Sequence, residues 1–163
     1  MTVLFLIIGL PLNIIFHELG HILCFAFLKI EIKKICIGAL FFIKTDKWKL
    51  SYSKHNNKCY VVPRIKHNKT KEYYLNCIRK SLIWGPIITI LLLFLYLMYF
   101  CSNYNLLLNN RIEMMLVLFN IAINISILHG CLTYNKNSIG DIYLFVKSKN
   151  YKSILDNYFV DLL

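Results

Sequence analysis

The chain has 163 residues, of which 58% are hydrophobic, 15% aromatic and only 17% charged, with a formal net charge of +11. A soluble domain of this size carries more charge around its single core, so an apolar surplus gathered in blocks points to membrane spans. Of the 19 basic residues, 14 fall between Lys29 and Lys80; they flank apolar blocks and show no aromatic–basic RNA-binding signature, which argues against nucleic acid as a partner.

The first apolar block covers residues 2–28, long enough to cross a bilayer as a helix. Its only formal charge is Glu18, with His17 and His21 beside it. A secretory signal would show a basic leading region, a shorter apolar core and a small-residue cleavage site, and the block shows none of these. A stretch of different character follows over residues 30–63. Ile30-Glu31-Ile32-Lys33-Lys34-Ile35-Cys36-Ile37 and Lys47-Trp48-Lys49-Leu50-Ser51-Tyr52-Ser53 alternate with period two, and Cys59-Tyr60-Val61-Val62-Pro63 is a third β-like run. The six cysteines are scattered with no C-x-x-C pair, a pattern that supports neither a disulfide framework nor a zinc ribbon.

Residues 66–71 form a polar, basic connection to the second block, residues 81–101, which opens with Trp84-Gly85-Pro86. The third block covers residues 113–132 and is interrupted by Asn120, Asn124, Ser126 and His129. With no internal repeat and no low-complexity linker, the expected fold is a single domain over residues 1–163. It is a mainly α membrane protein with three spans and a small β-rich, membrane-associated loop between the first two. Lys and Arg crowd the first loop, only Arg111 marks residues 102–112, and four lysines follow residue 132. The positive-inside rule then places the basic loop and the C-terminus in the cytoplasm and the N-terminus outside. Enrichment in Lys, Asn and Ile suits a low-GC bacterial genome, hence a bacterial cell membrane.

His17-Glu18-Leu19-Gly20-His21 carries the chemistry. On a helix, residues i and i+4 share one face, so both imidazoles can address one zinc ion. Glu18 then sits where a general base for a zinc-activated water belongs. Phe16 and Ile22 on either side are apolar, which removes a solvated-face explanation. Ionisable groups inside an apolar span are a functional expectation by default, structural histidines paired with Glu18 being the plainer alternative.

H-E-L-G-H in an early span resembles the site-2 protease family of intramembrane zinc metalloproteases. The β-like loop ending in Val61-Val62-Pro63 and Gly85-Pro86 at the second span are similar to that family's membrane-associated strands and G-P element. The resemblance implies a minimal three-span catalytic core that cleaves a membrane-inserted peptide or protein near the cytoplasmic side. The implied partners are that substrate and the lipid bilayer, with a regulatory membrane protein of no stated identity as a further candidate. It also implies an aspartate as third zinc ligand, within an N-x-x-P…D-G motif of the last core span. Here the sequence departs: Asn124-Ile125-Ser126-Ile127 lacks the proline, and in Gly140-Asp141 the order is reversed.

Asp141 is the expected third ligand, with His129 as the alternative in a three-histidine site. Were the third span a straight helix from Glu113, Asp141 would lie about 42 Å along it. Ligation therefore requires a break near Gly130 and a return of the chain into the protein. Asn124 is expected either to bond the substrate or developing oxyanion, or to serve as a helix-packing amide. His55 and His67 read as exposed loop residues, and Asp156 and Asp161 as solvated tail carboxylates. Two further functions stay open: a catalytically inactive, peptide-binding or immunity-type relative, and a metal transporter or sensor. The nearly unbroken apolar second span speaks against the transporter.

Overall fold

The computed structural model describes residues 2–54, 59–64, 70–135 and 138–148. Their elements run α1 (Thr2–Phe27), β1 (Ile32–Ile37), β2 (Leu40–Lys44), β3 (Trp48–Tyr52), β4 (Cys59–Pro63), α2 (Lys71–Ser102), α3 (Tyr104–Asn109), α4 (Arg111–Leu132), β5 (Tyr134–Asn135), β6 (Ser138–Ile139) and α5 (Asp141–Ser148). The fold is mainly helical with a small antiparallel sheet. Two helical stretches, Glu72–Ser102 and Arg111–Leu132, are long and apolar enough to cross a membrane; in α1 the corresponding apolar stretch is the shorter Pro11–Phe27.

α1 ends in a Schellman motif. The N–H of Ile30 donates to the Phe25 carbonyl at 2.9 Å and that of Lys29 to the Ala26 carbonyl at 3.0 Å. Lys29 holds the left-handed position with φ +54°, where glycine is the usual occupant. The turn releases the chain into a four-stranded sheet of order β3-β2-β1-β4. β2 was not among the sequence-expected strands: Leu40-Phe41-Phe42-Ile43 is an unbroken apolar run whose period is hidden. Its pairing with both β1 and β3, Ile35 opposite Phe42 and Phe42 opposite Leu50, makes it a central strand.

β4 pairs with β1 alone and so leaves its other edge unpaired within the sheet. A buried cluster of Phe25, Val61, Tyr74, Leu75 and Ile78 joins α1, β4 and α2 and seats the sheet against the two helix ends. Burying a side chain such as Phe25 contributes on the order of 1.5–3 kcal/mol. The same cluster explains why α2 begins at Lys71, well before the apolar block that starts near residue 81. Tyr74, Leu75 and Ile78 face inwards while Glu72, Asn76 and Lys80 are exposed, an amphipathic turn pattern that the basic flank obscured. Thr70 caps the helix by accepting from the Tyr73 N–H at 3.3 Å.

α4 stops at Leu132 and the chain folds back through the β5–β6 pair, Tyr134 opposite Ile139. Gly140 seals this return: a Cβ there would lie 2.3 Å from the Cys131 carbonyl oxygen, so only glycine lets the strand pair lie on the end of α4. α5 begins at the next residue, Asp141.

The left-handed lysine supplies a stability test. Lys29 is exposed, so Lys29→Gly is expected to remove backbone strain and raise stability by about 1 kcal/mol at most. The readout is the thermal midpoint of the purified protein in detergent; a lower midpoint for the glycine variant would contradict the strain assignment.

Candidate metal centre

His17 and His21 lie one helical turn apart on α1, both buried, with ring centroids 5.1 Å apart and planes at 79°. α2 orients both rings from behind. The Nδ1 of His21 lies 2.8 Å from the Ser81 carbonyl oxygen, and the Nδ1 of His17 lies 2.8 Å from Thr89 Oγ1. A carbonyl only accepts, so His21 carries a proton on Nδ1, and a neutral ring then turns the lone pair of Nε2 the other way.

Opposite these nitrogens stands Asp141. Its Oδ2 is 2.9 Å from His17 Nε2 and 3.3 Å from His21 Nε2. All three ligand atoms lie within 4.8 Å of one another, a group able to hold a metal ion. Ligands of a tetrahedral ion with bonds of about 2.0–2.1 Å stand about 3.3 Å apart, which matches the His21–Asp141 separation and exceeds the His17–Asp141 one by a few tenths of an ångström. The donor set fits as well. A carboxylate oxygen and imidazole lone pairs repel when brought together bare, and a cation between them turns that repulsion into attraction. A carboxyl in its ordinary range is ionised near neutral pH, so Asp141 offers an anionic oxygen.

Glu18 completes the arrangement. It is 4% exposed, lines the same cavity, and its Oε2 is buried with no hydrogen-bond partner among the described residues. A carboxylate oxygen left so costs free energy unless something in the cavity engages it. The cavity measures about 470 Å³ and brings Glu18, His17, His21 and Asp141 together with an apolar wall that includes Ile14, Phe25, Ile78, Leu82 and Ile127. Cys59, Tyr60 and Val61 of β4 form another side.

Two glycines set the spacing. A Cβ on Gly20 would meet the Trp84 carbonyl oxygen at 2.4 Å, so α1 and α2 cross with their backbones in contact. A Cβ on Gly85 would lie 2.6 Å from His21 Nε2 and 2.8 Å from His17 Nε2. Gly85 thus leaves open the space between the ligand nitrogens where an ion would sit.

The structure therefore brings His17, Glu18, His21 and Asp141 into one site. His129 is not part of that group and is exposed near the end of α4. Asn124 is fully buried but does not line the cavity. Its Nδ2 donates to Asn13 Oδ1 at 2.9 Å and to the Asn120 carbonyl at 2.8 Å, which is the helix-packing alternative. His55, His67, Asp156 and Asp161 lie outside the described residues. Ser81 and Thr89 escaped sequence reasoning. Ser81 acts through a backbone carbonyl, which no residue type announces, whereas Thr89 is the only hydroxyl residue between Gly85 and Leu95 and was visible as a polar break in an apolar run. Comparison of the chain with protein-family models, with curated proteins and with solved structures returns no match.

The two glycines separate ion binding from packing. Gly85→Ala is expected to lower the affinity for an added divalent metal ion by about tenfold or more while the thermal midpoint of the metal-free protein falls little. Gly20→Ala is expected to lower both, because its methyl group meets backbone, an overpacking cost of about 1–3 kcal/mol. Chelator-competition titrations beside thermal melts read the two effects; equal metal affinity in wild type and Gly85→Ala would refute the assignment of that space.

Proposed function

We propose that this protein is an integral membrane zinc endopeptidase of the site-2 protease type, hydrolysing a membrane-inserted or membrane-associated peptide or protein. The observation that carries the reading is a single cavity in which Glu18, its buried Oε2 without a hydrogen-bond partner among the described residues, stands beside the His17, His21 and Asp141 group. Support for a bilayer setting comes from α2, where Ile90, Leu91, Phe94, Leu95 and Met98 are each more than half exposed. Apolar side chains so placed on a long apolar helix suit contact with lipid. The excess of Lys and Arg in the loop between α1 and α2 supports a cytoplasmic loop and an outside N-terminus.

A divalent ion held there supplies Lewis acidity, which polarises a peptide carbonyl and makes water more acidic. His17, His21 and Asp141 would hold it. Glu18 takes a proton from water in the cavity as general base and delivers it to the amine that leaves. The balance is simple hydrolysis: the water oxygen joins the carbonyl carbon, the C–N bond breaks, and the amine departs with the proton. The apolar wall of Ile14, Ile78, Leu82 and Ile127 accommodates a hydrophobic substrate side chain. β4 lines the cavity and has an edge free within the sheet, so an extended peptide can be held there by main-chain hydrogen bonds. A helical substrate must unwind to reach it.

Proteolysis of a panel of membrane peptides in liposomes tests the proposal, with wild type and Glu18→Gln compared side by side. Glu18→Gln is expected to cut about 10²–10⁴-fold more slowly while retaining its zinc. Zinc-loaded wild type that binds peptides without cutting any would instead favour the peptide-sequestering relative. Undiminished cutting by Glu18→Gln would remove Glu18 from the reaction.

A further inference from the structure

We infer that Thr89 is a positioning residue for the metal centre, the hydroxyl that fixes which nitrogen of His17 faces the ion. The inference rests on the proposed metal site and adds a group outside its ligand set. Thr89 is 1% exposed, in the middle of the apolar part of α2, and its Oγ1 has two neighbours. One is His17 Nδ1 at 2.8 Å and the other is the Gly85 carbonyl oxygen at 3.1 Å.

A threonine hydroxyl has one proton to give and lone pairs to receive with. The Gly85 oxygen can only accept, so the hydroxyl proton goes to it. The remaining partner, His17 Nδ1, must then donate to Thr89 Oγ1. With its proton on Nδ1, a neutral His17 turns the lone pair of Nε2 towards the space beside Asp141 Oδ2 and His21, where a bound ion takes the place of the proton that Nε2 would otherwise share with the carboxylate. His21 reaches the same state by a different route, through the Ser81 carbonyl. The two ligands thus have matched tautomers, one imposed by backbone and one by a single side-chain hydroxyl. Partners of this kind set ring orientation and strengthen the ligand, and their loss typically weakens metal binding by about 10–100-fold.

Geometry also explains why the residue must be threonine or serine. Its hydroxyl reaches back one turn to Gly85, the residue that borders the space between the two Nε2 atoms. An amide or carboxylate at residue 89 would need room in a tightly packed crossing, and valine has the shape of threonine but accepts nothing.

The test measures zinc and cobalt binding to the full-length protein in detergent by competition with a chelator of known affinity. Thr89→Val is expected to weaken zinc binding by about 10–100-fold and to alter the visible absorption of the cobalt-loaded protein. Thr89→Ser is expected to recover the wild-type affinity and spectrum, which a purely space-filling role would not predict. If the valine variant does not accumulate, Thr89→Ala removes the same acceptor. Wild-type affinity and an unchanged cobalt spectrum in Thr89→Val or Thr89→Ala would overturn the inference. Metal binding by wild type that is indifferent to His17→Ala would bring down the metal site itself, an outcome recognisably different from a silent Thr89.

Discussion

His17, His21 and Asp141 turn three potential ligand atoms towards one another in a largely buried pocket, an arrangement that apolar packing alone does not favour. His17 and His21 come from one turn of α1, while Asp141 arrives 124 residues after His17. Bare imidazole nitrogens and a carboxylate held about 3 Å apart repel one another, more so as water is excluded, unless a proton or a cation lies between them. The α1–α2 crossing at Gly20, the orienting contacts from Ser81 and Thr89, and the return of the chain through Gly140 all serve that convergence.

The polar residues inside the apolar helices follow the same economy. Asn13 donates to the Gly9 carbonyl at 2.8 Å and to Asn120 Oδ1 at 2.7 Å, while accepting from Asn124. This ladder ties α4 to α1 one turn before His17, and it limits rotation of α1 about its own axis, on which the aim of both imidazoles depends. Ser126 and Thr89 likewise return their hydroxyl protons to carbonyls one turn back, at 2.9 Å and 3.1 Å. Satisfied in this way, such hydroxyls cost little among apolar side chains, whereas Asn124 Oδ1 is buried with no partner among the described residues.

The proposed protease chemistry draws its parts from separate layers of the fold. α1 contributes the ligand pair and the carboxylate, α2 their orientation, α5 the third ligand, and β4 a wall of the cavity. The Phe25, Val61, Tyr74, Leu75 and Ile78 cluster couples the sheet to the helices, so the wall and the ligands share one rigid support. Asn124, read from the sequence as either a group for substrate or a helix-packing amide, stands among packed helices on Asn13 and Asn120.

The sequence by itself determined what depends on short range. The i, i+4 spacing of His17 and His21 sets a shared face on any helix, and the apolar blocks and period-two runs mark helices and most strands. Glu18 was legible because a carboxylate among apolar neighbours needs a reason. Whether Asp141 or His129 would stand beside His17 and His21 was not legible, since it turned on where α4 stops and which way the chain then runs. That was decided in three dimensions by the β5–β6 return and by the lack of a side chain at Gly140, which together carry Asp141 back to a pocket that a straight helix would have left far behind. β2, the early start of α2 and the roles of Ser81 and Thr89 were likewise tertiary decisions, because burial and a partner's lone pair depend on neighbours distant in the chain.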